Sequence, residues 1–538
     1  MQIQRLRFIF LVLPLVVPAK NGLSQPVSAN QDGNLGLYQS ADFQLVDGNC
    51  SDCKTIPQAL WYFKNELLAV PATQASDFSA DAQSQTDIAN WLADDPDLTA
   101  KPPLIWLGSD RVIAESRLSG NGRLLTDIDG NSRDFQIEAK IPTNRSYWND
   151  QTLHFFSQRS IRLRGAMMEN KFMARTVWPR DYKIPPDSML NPPGPDETLK
   201  TLVQFENGGA QSAYQARLLW ERGAGAARQS SGKAVMGIML NGAQGDDDEA
   251  HGGHFAIVTG RFEPDGDYSR WLVNNFYNLD SFSEKGIIAA VTPMDKYLMD
   301  LNSGQSYYRP SYMVVAAFKV DYPAALYQAA INRVFNHFYR HDLEYDHSSN
   351  NCSGVSIDAY RTIGWHIPLQ GVDGYVKAIA AYAYVSASEK SLEKGRKIYD
   401  YLTTEATRLY PAVAFDAMGN DLLMLAQGRT ERILSELEQS MTQNIEAIWF
   451  VRIPQIPSSR AFGQAAVYSF DEFMTQAPSD RSQWKIIPVE PRPFPNTMRD
   501  GLALQQTQSF PVPVPVGETV LGIILVLVAV GRKVKKRA

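Results

Sequence analysis

Two segments of this chain hold residue types that could do nucleophilic chemistry together. The first is Ser348-Ser349-Asn350-Asn351-Cys352-Ser353-Gly354, followed by Val355, Ile357, Ala359, Tyr360 and Ile363 and closed by Gly364. Asn and Ser ahead of an apolar run mark a helix N-terminus. That places the Cys352 thiol in the first turn, among free backbone N–H groups and a partial positive charge. Both favour thiolate over thiol, and the same N–H groups can receive an oxyanion. The second segment is His251-Gly252-Gly253-His254, which runs into Phe255-Ala256-Ile257-Val258-Thr259-Gly260-Arg261. His254 opens a strand there, and a strand-borne imidazole beside a helix-borne thiol is the layout that a Cys–His pair needs. The imidazole would take the thiol proton and later protonate the leaving group.

Other chemistry is open to the same residues. His251 and His254 with His347, or with the acidic run Asp246-Asp247-Asp248-Glu249, could bind a metal, but Gly252-Gly253 breaks a helical ligand pair. His337 and His341 are i, i+4 neighbours without the acidic partner of a zinc-protease helix. Gly223-Ala224-Gly225 lacks the strand, the spacing and the lysine of a phosphate-binding loop. No cofactor is therefore expected.

The elements that must position the pair can be read from hydrophobic pattern. Leu199–Glu206, Lys233–Leu240, Phe255–Thr259, Trp271–Tyr277 and Met313–Val320 read as strands. Residues 324–343 read as a helix, because Leu326, Ala330, Ile331, Val334 and Phe335 follow its period. Residues 353–445 read as mostly helical, with 375–384, 388–402 and 429–445 the clearest helices. Upstream, residues 104–107, 111–116, 123–128, 135–141, 153–156 and 160–164 alternate between turn signals, the pattern of a small antiparallel β domain.

The order of a histidine on a strand, then Asn-Cys at a helix start, resembles the circularly permuted branch of the papain-like superfamily. That branch holds NlpC-type hydrolases and lecithin retinol acyltransferase-like proteins. The resemblance spans roughly residues 230–365 and rests on His254 with its strand and on Asn351-Cys352. It implies that Cys352 is the nucleophile, that His254 is the base and that a polar residue on the next strand orients the imidazole. Asn274 and Asn275 lie on opposite faces of that strand, and either could serve. Asn351, Ser353 and His251 flank the pair as candidate substrate-binding residues. The 98 positions from His254 to Cys352 exceed the gap in compact relatives, which an insertion around residues 279–310 explains.

Composition bounds the partners. The 538 residues suggest several domains, and 44% hydrophobic with 20% charged residues is globular. The net charge is −6, and eight of the 52 basic residues cluster at the two termini, where no acid accompanies them. The body is acidic, which argues against nucleic acid as a partner. Arg5 and Arg7, the apolar run Phe8–Val17 and the small residues Gly22 and Ser24 form a secretory signal pattern. Pro511, Pro513 and Pro515, the apolar stretch Val520–Val530 and the basic cluster Arg532–Arg537 resemble a C-terminal sorting signal or membrane anchor. The expected setting is thus the cell envelope, with the chain membrane-anchored or surface-sorted. The expected partners are a peptide or lipid substrate of the envelope, a signal peptidase and a C-terminal sorting transpeptidase. Cys50 and Cys53 are expected to form a local disulfide.

Together these readings give an α+β protein. It comprises a signal peptide (1–24), a β-rich domain (25–184), a permuted papain-like domain (197–370) and a helical extension (371–487). A Pro-rich linker (488–515) and an apolar/basic tail (516–538) follow. The expected activity is a cysteine hydrolase or acyltransferase acting on an amide, ester or thioester. The alternative is a non-enzymatic binding protein with a degenerate papain-like module.

Overall fold

The computed structural model describes residues 34–39, 43–46, 68–71, 104–107, 111–137, 148–168, 171–246, 250–278, 287–301, 303–339, 345–348 and 350–483. The architecture is α+β, with one large sheet, a small barrel on one side of it and helices on the other.

In chain order, β1 (Phe43–Val46), β2 (Leu68–Pro71) and β3 (Leu104–Leu107) come first. The barrel follows: β4 (Arg111–Leu118), β5 (Leu124–Asp127), β6 (Ser132–Ile137), α1 (Asp150–Ser157), β7 (Ile161–Met168) and β8 (Lys171–Pro179). It closes in the order β4-β5-β6-β8-β7, with β6 and β8 parallel. The run 153–156, expected as a strand, lies within α1, because Asn149 and Thr152 form a reciprocal capping box that nucleates a helix there.

Next come α2 (Leu199–Gly208), β9 (Gln215–Glu221), β10 (Ala234–Asn241), β11 (His254–Arg261), β12 (Leu272–Asn278), β13 (Ile287–Pro293), α3 (Met294–Met299) and β14 (Ser311–Phe318). Residues 199–206, expected as a strand, belong to helix α2. Its Leu199, Leu202 and Val203 are spaced to pack one helical face into the core. The helical region then runs through α4 (Tyr322–Tyr339), α5 (Cys352–Thr362), α6 (Tyr375–Ser388), α7 (Leu392–Thr403), α8 (Ala406–Leu409), α9 (Pro411–Gln427) and α10 (Glu436–Asn444). It does not stay helical: β15 (Ile445–Ile453) returns to the sheet before α11 (Phe470–Gln476).

The sheet has ten strands in the order β1-β3-β2-β13-β12-β11-β10-β14-β15-β9, antiparallel except for β1 with β3. The β-rich segment anticipated before residue 184 is therefore shared, with three strands in the large sheet and five in the barrel. β10 and β14 are buried on both faces, which is why their sequences run apolar without alternation. One core lies under α2, α4, α5, α9 and α10 and takes Met236, Ile238, Leu240, Phe255 and Ile257 from the sheet. The other lies on the barrel side and takes Val235, Met239, Ala256 and Val258. Successive residues of β11 thus face different cores.

The barrel is joined to α3 by buried charge. Arg162 Nη1 donates to Asp295 Oδ2 at 2.7 Å, and Arg164 Nε donates to the same oxygen at 2.9 Å. Lys296 Nζ donates to Asp300 Oδ2 at 3.0 Å. Asp295 is fully buried and Arg164 is 1% exposed. Removing one partner from such a cluster strands the other charges in a low dielectric.

The expected membrane anchor and transmembrane helix are corrected, and the anchored localisation is not carried forward. Among the described residues, no helix is long and apolar enough to cross a membrane. The apolar segments at 8–17 and 520–530 lie outside the described residues. The expected disulfide is likewise not carried forward. Cys50 and Cys53 lie outside the described residues, and Cys352 is a free thiol.

Asp295→Ala is expected to destabilise the fold by about 3–5 kcal/mol, the cost of unpairing a buried ion cluster. Urea unfolding followed by circular dichroism measures it.

Candidate functional site

Asn351 builds the start of α5. Its extended backbone (φ −84°, ψ −176°) and side chain cap the helix, Oδ1 accepting from Ser353 N and Gly354 N at 3.0 Å each. Its Nδ2 donates to Leu409 O at 2.9 Å and His347 O at 3.2 Å, which ties the cap to α8 and to the preceding loop. Ser353 Oγ donates to Asn351 Oδ1 at 3.1 Å, and Ser353 is fully buried. Both side chains, expected to bind substrate, are occupied in holding the helix start.

α5 packs against β11. Cys352 is buried, and Phe255, Tyr345 and Ser353 each favour its thiolate form. Among the described residues, β11 pairs with β12 only through Ile257–Thr259, while β12 continues along β13 as far as Asn278. The two strands part at His254–Ala256.

His254 starts β11 on the face opposite Phe255. Gly253 precedes it with φ +77°, and a Cβ at Gly253 would meet Asn241 O at 2.5 Å and Ala466 Cβ at 2.6 Å. The second glycine of the His-Gly-Gly-His motif is thus required by both backbone and space. His254 is half-buried, lies opposite Asn241 in the β10–β11 register, and has its ring 6.3 Å from that of Tyr297. The Tyr297 hydroxyl donates to Asn241 Oδ1, and Asn241 Nδ2 donates to Ser311 Oγ at 2.7 Å.

The two asparagines of β12 part company. Asn275 Nδ2 donates to Val273 O and to Thr292 Oγ1 at 3.4 Å each, and from the diagonal position of the neighbouring strand the side chain favours the charged form of His254. Asn274 faces α4 instead. Its Oδ1 accepts from Gln328 Nε2 at 2.7 Å, and Gln328 continues the amide network to Asn332 at 2.9 Å. The expectation that Asn274 could orient the imidazole is corrected. So is the placement of His251 at the site: its ring packs edge-on against Phe473, with centroids 5.5 Å apart. Among the described residues, no cluster of His, Cys, Asp and Glu could hold a metal ion. Asp246 is paired with Arg460, and 247–249 lie outside the described residues.

Burial sets the electrostatics. It pushes the Cys352 thiol above its ordinary value, against the lowering influence of Phe255, Tyr345, Ser353 and the positive charge of Arg309. The expectation that the helix N-terminus alone depresses this thiol is overturned, because desolvation outweighs it. Burial also lowers His254 to about 3, helped by the charges of Arg309 and His347 and opposed by Asn275. Burial thus disfavours the charged form of each side chain.

Pattern reading missed Asn241, Tyr297, Arg309 and Tyr345. Asn241 carried one signal, a polar residue closing an otherwise apolar run. Tyr345 stood seven positions before the cysteine with nothing to mark it. The chain matches no family model, no curated protein and no solved structure.

Two outcomes follow from these contacts. Asn351→Ala is expected to cost about 1–2 kcal/mol of stability, the worth of a helix cap, read from chemical denaturation. A histidine held neutral in the fold takes up no proton as pH falls from about 6.5 towards 3, whereas the unfolded chain does. The stability of the native protein should therefore fall more steeply than that of His254→Gln between pH 7.5 and 4.5. Equal slopes would show that His254 titrates normally.

Proposed function

We propose that this chain is a cysteine-dependent acyl hydrolase or acyltransferase with a permuted papain-like arrangement of Cys352 and His254. The observation that carries the reading is the junction at the parted ends of β11 and β12. α5, which carries Cys352 in its first turn, packs against β11, the strand that His254 opens, and Phe255, next to His254, favours the thiolate form of Cys352.

In the reaction, the His254 ring takes the S–H proton as sulfur bonds to the carbonyl carbon of an amide, ester or thioester. The carbonyl π electrons move to oxygen, and the backbone N–H of Cys352, the one first-turn donor of α5 that the Asn351 cap does not take, stabilises that oxyanion. The tetrahedral intermediate collapses and expels the amine, alkoxide or thiolate, which takes the proton from the imidazolium. A thioester on Cys352 remains. Water or an acceptor nucleophile then attacks it, with the imidazole again acting as base.

The alternative, a binding protein whose module no longer reacts, is favoured by one observation. Phe255 and Cys352 share the helix-side core, while His254 faces the barrel side. The two readings differ in whether an acyl group can reside on the sulfur.

Incubation with p-nitrophenyl acetate, followed by intact-mass and peptide analysis, is expected to show one acetyl group on Cys352. Cys352→Ala should abolish that adduct, and His254→Ala should slow its formation by about 10²–10⁴-fold, the usual worth of a general base. Acetylation elsewhere, or at equal rate without His254, would leave the binding reading standing.

A further inference from the structure

Helix α6 has apolar residues on two faces, and the fold buries one of them. Ala378, Ala381 and Val385 share a small core with Ile398 and Leu402 of α7 and with Phe470 of α11. On the opposite side, Val376, Ile379, Ala380, Ala383, Tyr384 and Ala387 are exposed. Their spacing of three and four residues makes one helical face. Val376 is 84% exposed and Ile379 60%. A surface helix ordinarily turns polar side chains to water on that side. The one charged residue of α6, Lys377, stands at the flank of the face and donates to Asp471 Oδ1 at 3.0 Å.

The exposed face is complementary to itself. Its residues are arranged symmetrically about the midpoint between Ala381 and Tyr382. When α6 is laid antiparallel on α6 of a second copy about that midpoint, Val376 stands opposite Ala387, Ile379 opposite Tyr384 and Ala380 opposite Ala383. The central alanines let the two axes approach closely, and the larger side chains lie on either side of them.

The charges just outside the helix continue the same register. Asp373 precedes α6, Lys390 follows it, and the antiparallel arrangement sets each opposite the other. The Tyr410 hydroxyl fixes the Asp373 carboxylate, donating to Oδ2 at 2.9 Å. Lys390 is exposed and, among the described residues, is the one non-glycine with a positive φ, +50°. Glycine and asparagine take that left-handed backbone more readily. Here it carries a lysine at the turn between α6 and α7.

We propose that the outer face of α6 docks on the same face of a second copy of this chain, antiparallel about a two-fold axis, with Asp373 of each copy against Lys390 of the other. One patch serves both sides of such an interface, and closing it removes the exposed apolar residues from water. A face of about three turns is small beside the roughly 800 Å² per partner of a standard interface. The dimer is therefore expected to dissociate on dilution. This surface is independent of the Cys–His reading.

Sedimentation velocity of the full chain over a range of concentrations tests the proposal. The native chain should pass from monomer to dimer as concentration rises. Ile379→Glu should stay monomeric with an unchanged circular dichroism spectrum. Asp373→Lys and Lys390→Asp should each weaken dimerisation by about tenfold, because like charges replace both opposite-charge contacts. Mixed together, the two variants should pair as tightly as the native chain, since every lysine then meets an aspartate. A native chain that is monomeric at every concentration, because another partner or another part of the chain takes the face, overturns the proposal. So does an Ile379→Glu chain that dimerises like the native protein. If mixing the charge variants restores nothing, the antiparallel register fails and the proposal with it. Should Ile379→Glu not fold, Val376→Glu, at the 84% exposed position, takes its place and is read in the same way.

Discussion

The candidate site depends on the packing of α5 against β11, which sets the buried Cys352 thiol near Phe255, Tyr345 and Ser353. An inner strand ordinarily gives its N–H groups to its neighbours, but among the described residues β11 pairs with β12 only through Ile257–Thr259. The sheet otherwise separates two cores, one under the helices and one on the barrel side. Gly253 and Asn351 are the local conditions of the site, through a positive φ at the strand start and a helix cap.

The barrel side contributes by rigidity. α3 is a fully buried single turn and a half that carries Tyr297 to the His254 ring. It is held by Asp295 against Arg162 and Arg164 of β7. Such a cluster is weak evidence for stability, since desolvation offsets most of its attraction. Its effect is to fix the orientation of α3, and with it the Tyr297–Asn241–Ser311 chain of hydrogen bonds beside the site.

Much of this was legible in the sequence, for local reasons. The Asn351 cap and the apolar period after it placed Cys352 at a helix start, and the alternation after His254 placed it on a strand. Asn274 and Asn275 could be named but not separated, because choosing between them requires knowing which face of β12 meets which core. Residues 199–206 were misread because a short apolar run fits either period until its packing face is known. Tyr297 and Tyr345 were invisible because their places near His254 and Cys352 come from tertiary approach, not from spacing. The depressed thiol expected from the helix N-terminus was overturned by burial, which no sequence window reports. The α+β class was readable, yet the placement of β15 between β14 and β9 was not, since it depends on pairing across more than a hundred residues.

The most direct test of the account is the crystal structure of the protein carboxamidomethylated at Cys352. The account predicts that the adduct lies in the opening between β11 and β12, with its amide within about 3 Å of the His254 ring, as a general base requires. An adduct directed into the helix-side core, with the imidazole still on the far face of β11 and no path between them, would contradict it.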